Sequence, residues 1–347
     1  MPTTLQEPTR VSAAKVAVTL DNFIRAETDM YFGKLVADGG FGRFKHSRNV
    51  AEIDKQDVVR MNRDTIYSSG VFDLDASPLS VTLPDPGGRF MSMQVVSEDH
   101  FVTEVVYAPG TFRYTAEKVG TRYVGIIIRT LANPEAPADV KQANALQDAI
   151  QSGQVSAGKW EAPNWDSASQ AIIREALNVL GSVKGETHGW TFGTRKEVDP
   201  VLHLIGTAMG WGGNPASAAV YRSEYPKAND GRTVHKLTVR NVPVDGFWSI
   251  SVYNSKGFFE KNERGAYSVN NLTARPNADG SFTIQFGGCD GRTPNCIPTP
   301  PGWNYAVRLY RPRKEILDGT WQFPRAEAFQ PERGSPGGRP VSGGRHI

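Results

Sequence analysis

Cysteine is the scarcest chemistry in this chain: two residues, Cys289 and Cys296, among 347. Two thiols cannot complete a tetrahedral zinc site unaided. They sit in a Gly/Pro-rich loop, and two readings stand side by side: free thiols in a reducing cytosol, or a loop-closing disulfide in an oxidising compartment. Long apolar runs are missing too. No window of about 18 apolar residues exists, so no membrane span and no membrane partner is expected. The opening residues, Met1-Pro2-Thr3-Thr4-Leu5-Gln6-Glu7-Pro8, lack a basic stretch followed by an apolar one. The default expectation is therefore the cytoplasm, with the periplasm as the alternative if an export signal has been removed. Excess charge is absent: 39 basic against 36 acidic side chains give a net +3, without the basic footprint that holds nucleic acid.

Standard catalytic machinery is equally scarce. There is no G-x-S-x-G elbow, no H-E-x-x-H, no Walker A loop and no G-x-G-x-x-G after a strand. The six histidines, His46, His100, His188, His203, His235 and His346, are scattered. None stands two or four residues from another, so the sequence assigns no metal and no cofactor.

What is present is turn chemistry. The 35 glycines and 23 prolines punctuate many short apolar stretches, as in a chain of short strands. Apolar spacing predicts a helix over 12–37, with Ser12 as its N-cap. Strand patterns follow over 58–61, 67–74, 79–83, 89–96, 101–106 and 123–129, spaced by about ten residues as in a β-sandwich. Helical spacing returns over 138–150, 167–180 and 201–209, the last opened by Pro200. Strands resume over 234–239, 247–253, 282–286 and 305–310, with a turn at Asn277-Ala278-Asp279-Gly280. The tail from Pro331 has almost no apolar content and is expected to be disordered. The fold expected is mainly β with helical additions (α+β), in two β-sandwich or jelly-roll-like halves. Its divisions are an N-terminal helix (1–40), a first β domain (41–131), a helical connection (132–224), a second β-sandwich (225–324) and an Arg/Gly/Pro-rich tail (325–347).

Four constellations carry chemistry. The first is Asn62-Arg63-Asp64-Thr65-Ile66-Tyr67-Ser68, running on to Phe72-Asp73-Leu74. Tyr67 and Asp73 share one face of an extended strand, and Arg63 suits an anion. The plain alternative is that Asp64 caps a turn and pairs with Arg63. The second is Ser97-Glu98-Asp99-His100, where an acid can tune His100 as a proton carrier, or which is a solvated turn. The third is Gly210-Trp211-Gly212-Gly213-Asn214-Pro215 with Tyr221. Its glycines let backbone approach a ligand closely, or form a turn around a buried Trp211. The fourth is 247–254, where Trp248 alternates with Ser249, Ser251 and Tyr253. One face must be core, and the other can line a cavity or pack.

The run 62–68 with Phe72-Asp73-Leu74, Pro84, Arg89-Phe90 and Gly125 resembles the domain-of-unknown-function family numbered 1254. A longer set of residues resembles the family numbered 1214. It comprises Asp245-Gly246-Phe247-Trp248-Ser249, Tyr253-Asn254, Asn262, Tyr267-Ser268, Asp279-Gly280-Ser281, Asn295 to Pro298, Arg308-Leu309-Tyr310-Arg311-Pro312, Gly319 and Pro324. The resemblance implies a tandem arrangement common in bacteria and a jelly-roll-like sandwich architecture with helical additions. It implies no reaction and no catalytic residue. Cys296 stands where many relatives carry Trp.

These features favour a small-molecule-binding protein, an enzyme with acid–base or hydrolytic chemistry on an organic substrate. Asp64, Tyr67 and His100 are its catalytic candidates. Arg63, Asp73, Trp211, Tyr221, Trp248 and Tyr253 are its ligand-binding candidates, around a hollow inside a sandwich. A carbohydrate-binding jelly roll and a structural assembly protein are the alternatives, and a homo-oligomer is expected.

Overall fold

In a computed structural model, residues 14–56, 59–183 and 189–329 are described. The chain first forms α1 (Phe23–Ala37), β1 (Lys45–His46), β2 (Thr65–Asp73), β3 (Leu79–Leu83), β4 (Met91–Ser97), β5 (Val102–Tyr107), β6 (Gly110–Tyr114), α2 (Ala116–Val119), β7 (Tyr123–Leu131), α3 (Pro137–Asp148) and β8 (Gln151–Gly153). One sheet has the order β1-β2-β7-β4-β5 and faces a smaller one, β6-β3-β8. On β3, Leu79, Val81 and Leu83 are buried while Ser80 and Thr82 stay half-exposed, the alternation of a strand with one wet face. The three leucine and valine side chains pack against Phe72, Met93, Val95, Ile126 and Ile128 of the larger sheet. β4 and β7 are buried almost throughout, because the larger sheet is covered on both faces.

Part of its outer face is covered by α1. Phe32 of α1 packs on Val71 and Tyr123. Gly125 of β7 makes the room, since a Cβ there would sit 2.4 Å from the Phe32 ring. Two further helices, α4 (Ser167–Val183) and α5 (Pro200–Gly210), pack with α1. Pro200 opens α5 as expected, and Asp199 caps it by accepting from the Val201 and Leu202 amides at 2.9 Å.

The second half contains β9 (Ala219–Glu224), β10 (His235–Val239), β11 (Trp248–Tyr253), β12 (Ser268–Asn270), β13 (Phe282–Phe286), β14 (Cys296–Ile297), β15 (Asn304–Tyr310), α6 (Lys314–Leu317) and β16 (Glu327–Ala328). The sheets β14-β13-β10-β16 and β12-β11-β15-β9 face each other across one apolar cluster that includes Trp248, Ile250, Ile284, Phe286, Trp303, Val307 and Leu309. All pairings within the four sheets are antiparallel except β13 with β14. The architecture is mainly β with helical additions, in two sandwich-like halves.

Several local expectations change. The helix expected from 12 begins at Phe23 instead; residues around Val16 run extended and bridge Trp165, a tertiary pairing that outcompetes helical spacing. Ser12 lies outside the described residues, as do His188, His346 and the tail from 330. No strand forms over 59–61; Arg60 adopts φ 54°, and the Arg60 and Met61 carbonyls are drawn to Arg308 instead of a ladder. Cys289 and Cys296 form a disulfide, with Cα atoms 5.6 Å apart. This replaces the free-thiol reading: the loop between β13 and β14 folds back far enough to bring the sulfurs together. Among the described residues, no helix is long and apolar enough to cross a membrane.

Candidate functional site

Strand parity places two polar rows on the sheet faces turned away from the two sandwich cores. On β2 and β7, Ile126 and Ile128 point into the first core, so Arg129 and its cross-strand partner Tyr67 point out. Ser92 and Tyr107 continue that row across β4 and β5. In the second half Trp248, Ile250, Val307 and Leu309 fill the core, so the row Asn270–Ser249–Arg308–Tyr221 points out across β12, β11, β15 and β9. The two rows meet where the sandwiches abut. Asn62 joins them, its Nδ2 donating to the hydroxyls of Tyr67 and Tyr310 at 3.2 Å each.

Two buried guanidinium groups dominate this seam. Arg129 donates to Gln94 Oε1 at 2.7 Å, to Asn214 Oδ1 at 3.4 Å and to the Gly212 carbonyl at 3.2 Å. Its guanidinium carbon lies 5.6 Å from the centre of the Tyr67 ring. Arg308 donates to Ser251 Oγ at 2.9 Å, to the Tyr253 hydroxyl at 2.6 Å and to the Arg60 carbonyl at 2.7 Å. Neither has a carboxylate at ion-pair distance among the described residues. Burial opposes both charges, yet the surrounding phenols and, for Arg308, Asp64 keep each more firmly protonated than usual.

Arg129 and burial drive the two phenols apart. Burial pushes the Tyr67 phenol up, but Arg129, with hydrogen bonds from Thr65 and Asn62, overrides it and leaves the phenol below its ordinary value. Burial drives Tyr310 well above its ordinary value, helped by Tyr221 and Tyr67. Asp64 is 1% exposed and burial raises its carboxyl, with Arg308 and Asn270 pulling the other way. Asn270 Nδ2 donates to Asp64 Oδ1 at 3.2 Å, while Oδ2 has no hydrogen-bond partner. The arrangement can hold one tyrosine poised to lose a proton beside another that stays neutral.

Four of the sequence candidates converge here: Asp64, Tyr67, Tyr221 and Tyr253. The glycine-rich loop also belongs to the seam, because Gly212 and Asn214 hold Arg129, and Asn214 Nδ2 donates to the Tyr221 hydroxyl at 2.8 Å. Arg63 lies alongside, facing outward into a cleft of about 450 Å³ and a second of about 200 Å³.

Other candidates are placed elsewhere. Trp248 is packed in the second core against Phe282 and Phe323, since its parity is opposite to that of the seam residues. Asp73 shares a face with Tyr67, but six residues of strand separate them, about 20 Å. It is bound by Arg122 through Oδ1 and Oδ2 at 3.1 and 2.8 Å. Burial opposes the Asp73 charge, but Arg122 prevails and lowers its carboxyl. His100 is fully buried, 2.7 Å from Thr207 Oγ1 through Nδ1. Its Nε2 accepts from the Gly212 amide at 2.8 Å, and burial holds the imidazole well below its ordinary value. It stacks on Trp211, whose ring also stacks on Tyr31. His100 and Trp211 thus brace Gly212 behind Arg129 rather than lining a cavity. The expected hollow inside a sandwich is replaced by a polar seam between two packed cores.

Arg129, Asn270 and Gln94 are not singled out from the sequence, and Arg308 and Tyr310 enter only through the family resemblance, not as site candidates. The available signal was an arginine inside an apolar strand, as in Ile126-Ile127-Ile128-Arg129 and Ala306-Val307-Arg308-Leu309, where a charge is buried only with partners. No group of three or more His, Cys, Asp or Glu among the described residues can hold a metal ion.

Residues 41–109 match the model of a family described as protein of unknown function (DUF1254), and residues 218–314 match that of a protein of unknown function (DUF1214). No curated protein matches the chain. Among solved structures it is similar to the VPA0106 protein of Vibrio parahaemolyticus. The identity is 17% over 89% of this chain and 96% of that one, with a TM-score of 0.67. An uncharacterized protein from Burkholderia cenocepacia matches at 15% identity over 85% of this chain and 84% of its own, with a TM-score of 0.47. At such identities the first likeness is one of fold alone. Tyr67 and Tyr310 come one from each matched segment, and the chain carries a DUF1254 segment followed by a DUF1214 segment.

Proposed function

We propose that the protein binds a small organic molecule at the seam between its two sandwiches and exchanges a proton with it through Tyr67. The observation that carries this reading is the Tyr67–Tyr310 pair, bridged by Asn62 at 3.2 Å to each hydroxyl and driven in opposite directions by Arg129 and burial. Paired titratable groups pushed apart by their surroundings are a common basis of acid–base catalysis. Tyr67 takes or gives the proton. Tyr310 stays neutral and donates a hydrogen bond, and Arg129 and Arg308 stabilise negative charge as it develops. Hydrolytic or acid–base chemistry on an organic substrate fits this set.

A difference-absorbance titration of tyrosine ionisation tests the reading. The wild-type protein is expected to ionise one phenol below the ordinary value of 10.0, and Tyr67→Phe is expected to lose that step alone. Superimposable curves for the two proteins would remove Tyr67 as the proton-transfer group.

A further inference from the structure

The segment that builds the seam also turns one residue the other way. Asn62 and Asp64 point inward, onto Tyr67, Tyr310 and Asn270, while Arg63 between them lines both clefts at the junction of the halves. Arg63 is half-buried and is held in place on three sides. Its Nη1 donates to the Ala51 carbonyl, and its guanidinium lies 5.5 Å from the Tyr267 ring centre and 6.0 Å from that of Phe259. Among the described residues it has no ion pair and no further hydrogen bond, so most of its fork of donors faces the cleft uncommitted.

The larger cleft supplies the rest of a receptor. Its volume of about 450 Å³ suits a small organic ligand. Val50, Ile53, Pro134, Val140 and the Tyr267 ring give it an apolar wall. Its acids are already neutralised: Asp54 pairs with Lys261 at 3.1 Å and Glu52 with Lys55 at 3.4 Å. That leaves the Arg63 guanidinium as the charge on the cleft wall without an ion pair among the described residues, with buried Asp64 acting on it only at longer range. A planar fork preset on aromatic rings matches a carboxylate through two parallel hydrogen bonds.

From this we infer that the cleft is a binding site for an organic carboxylate, with the carboxylate on Arg63 and the apolar body against Val50, Ile53 and Val140. It goes beyond the seam reading above: neither Tyr67 nor Tyr310 lines the cleft, and the organic acid would be anchored one residue away from the Asn62 and Asp64 side chains.

The test is calorimetric titration of the full chain with benzoate, benzyl alcohol and inorganic phosphate. Benzoate is expected to bind at least about tenfold more tightly than either control, because only it combines charge with an apolar body. Arg63→Gln is expected to weaken benzoate about tenfold. Arg63→Lys, which keeps the charge without the fork, is expected to weaken it about threefold or more. Should Arg63→Gln fail to fold, Arg63→Lys decides, and an unchanged affinity overturns the inference. Absent benzoate binding, equal binding of benzyl alcohol, or tighter binding of phosphate would each overturn it as well. Tyr67→Phe is expected to leave benzoate affinity intact. Benzoate binding through Arg63 without the low-titrating phenol would therefore sink the proton-transfer reading alone, and the reverse would sink this inference alone.

Discussion

At the residue scale, burial of ionisable groups is the main theme, and Asp29 shows its thermodynamic sign. Asp29 sits on the inner side of α1, where its Oδ2 accepts from Trp165 Nε1 at 2.8 Å. Burial raises its carboxyl to about 6 from an ordinary 3.8, with Glu98 and Asp99 adding to the rise and Trp165 and Arg25 opposing it. The folded state therefore holds this proton more tightly than the unfolded chain does. The stability it contributes is complete below about pH 4 and is lost as pH rises through about 6. The amount is on the order of 3 kcal/mol. Asp29→Asn keeps an oxygen for Trp165 and removes the charge. Denaturant midpoints measured from pH 4 to pH 8 are expected to fall less steeply in Asp29→Asn than in wild type; parallel curves would refute the assignment. The residues of the seam obey the same physics, but there Arg129 reverses the burial effect on Tyr67, while Arg308 does not reverse it on Tyr310.

At the element scale, alternation decides which side chains meet. The sequence marked Trp248, Ile250 and Val252 as one face of a strand and Ser249, Ser251 and Tyr253 as the other, and β11 keeps that division. Assigning the faces was beyond it, because β11 and β15 are buried on both sides. The same holds for β7, where Gly125 enters the sequence reading only as one of the residues that carry the resemblance to the family numbered 1254. In the fold it is the seat of Phe32. Gly125→Ala is expected to lower stability by about 1–3 kcal/mol through overpacking. Phe32→Leu in the same chain should recover part of the loss. Chemical denaturation of the single and double variants checks this, and a Gly125→Ala protein as stable as wild type would mean that α1 shifts freely on the sheet.

At the scale of the whole molecule, the seam joins two halves that each possess their own apolar core. Arg308 of the second half holds the Arg60 and Met61 carbonyls of the first, and Asn270 holds Asp64. Separating the halves would expose these groups and the apolar contacts of Phe90 with Phe247 and Tyr310. One cooperative calorimetric transition is expected in wild type. Arg308→Met leaves the Arg60 carbonyl without a donor and removes the bonds to the Ser251 and Tyr253 hydroxyls, while Tyr253 still donates to the Met61 carbonyl; each buried group left unpaired costs about 1–3 kcal/mol. Its transition is expected to fall in temperature and to split in two. Two transitions already present in the wild-type protein would show that the seam does not couple the halves.

The sequence by itself determined the strand-rich, turn-punctuated class of this protein, the helix opened by Pro200 and the polar stretch 62–68, because these follow from local propensity and short-range periodicity. It also placed the glycine-rich loop near Tyr221. Only the tertiary structure decided that Arg129 and Arg308 lie between the halves, that Tyr310 meets Tyr67, and that Trp248 belongs to a core. Those outcomes depend on which face of each sheet is covered by a partner far away in the chain, and no local pattern carries that information when both faces are buried.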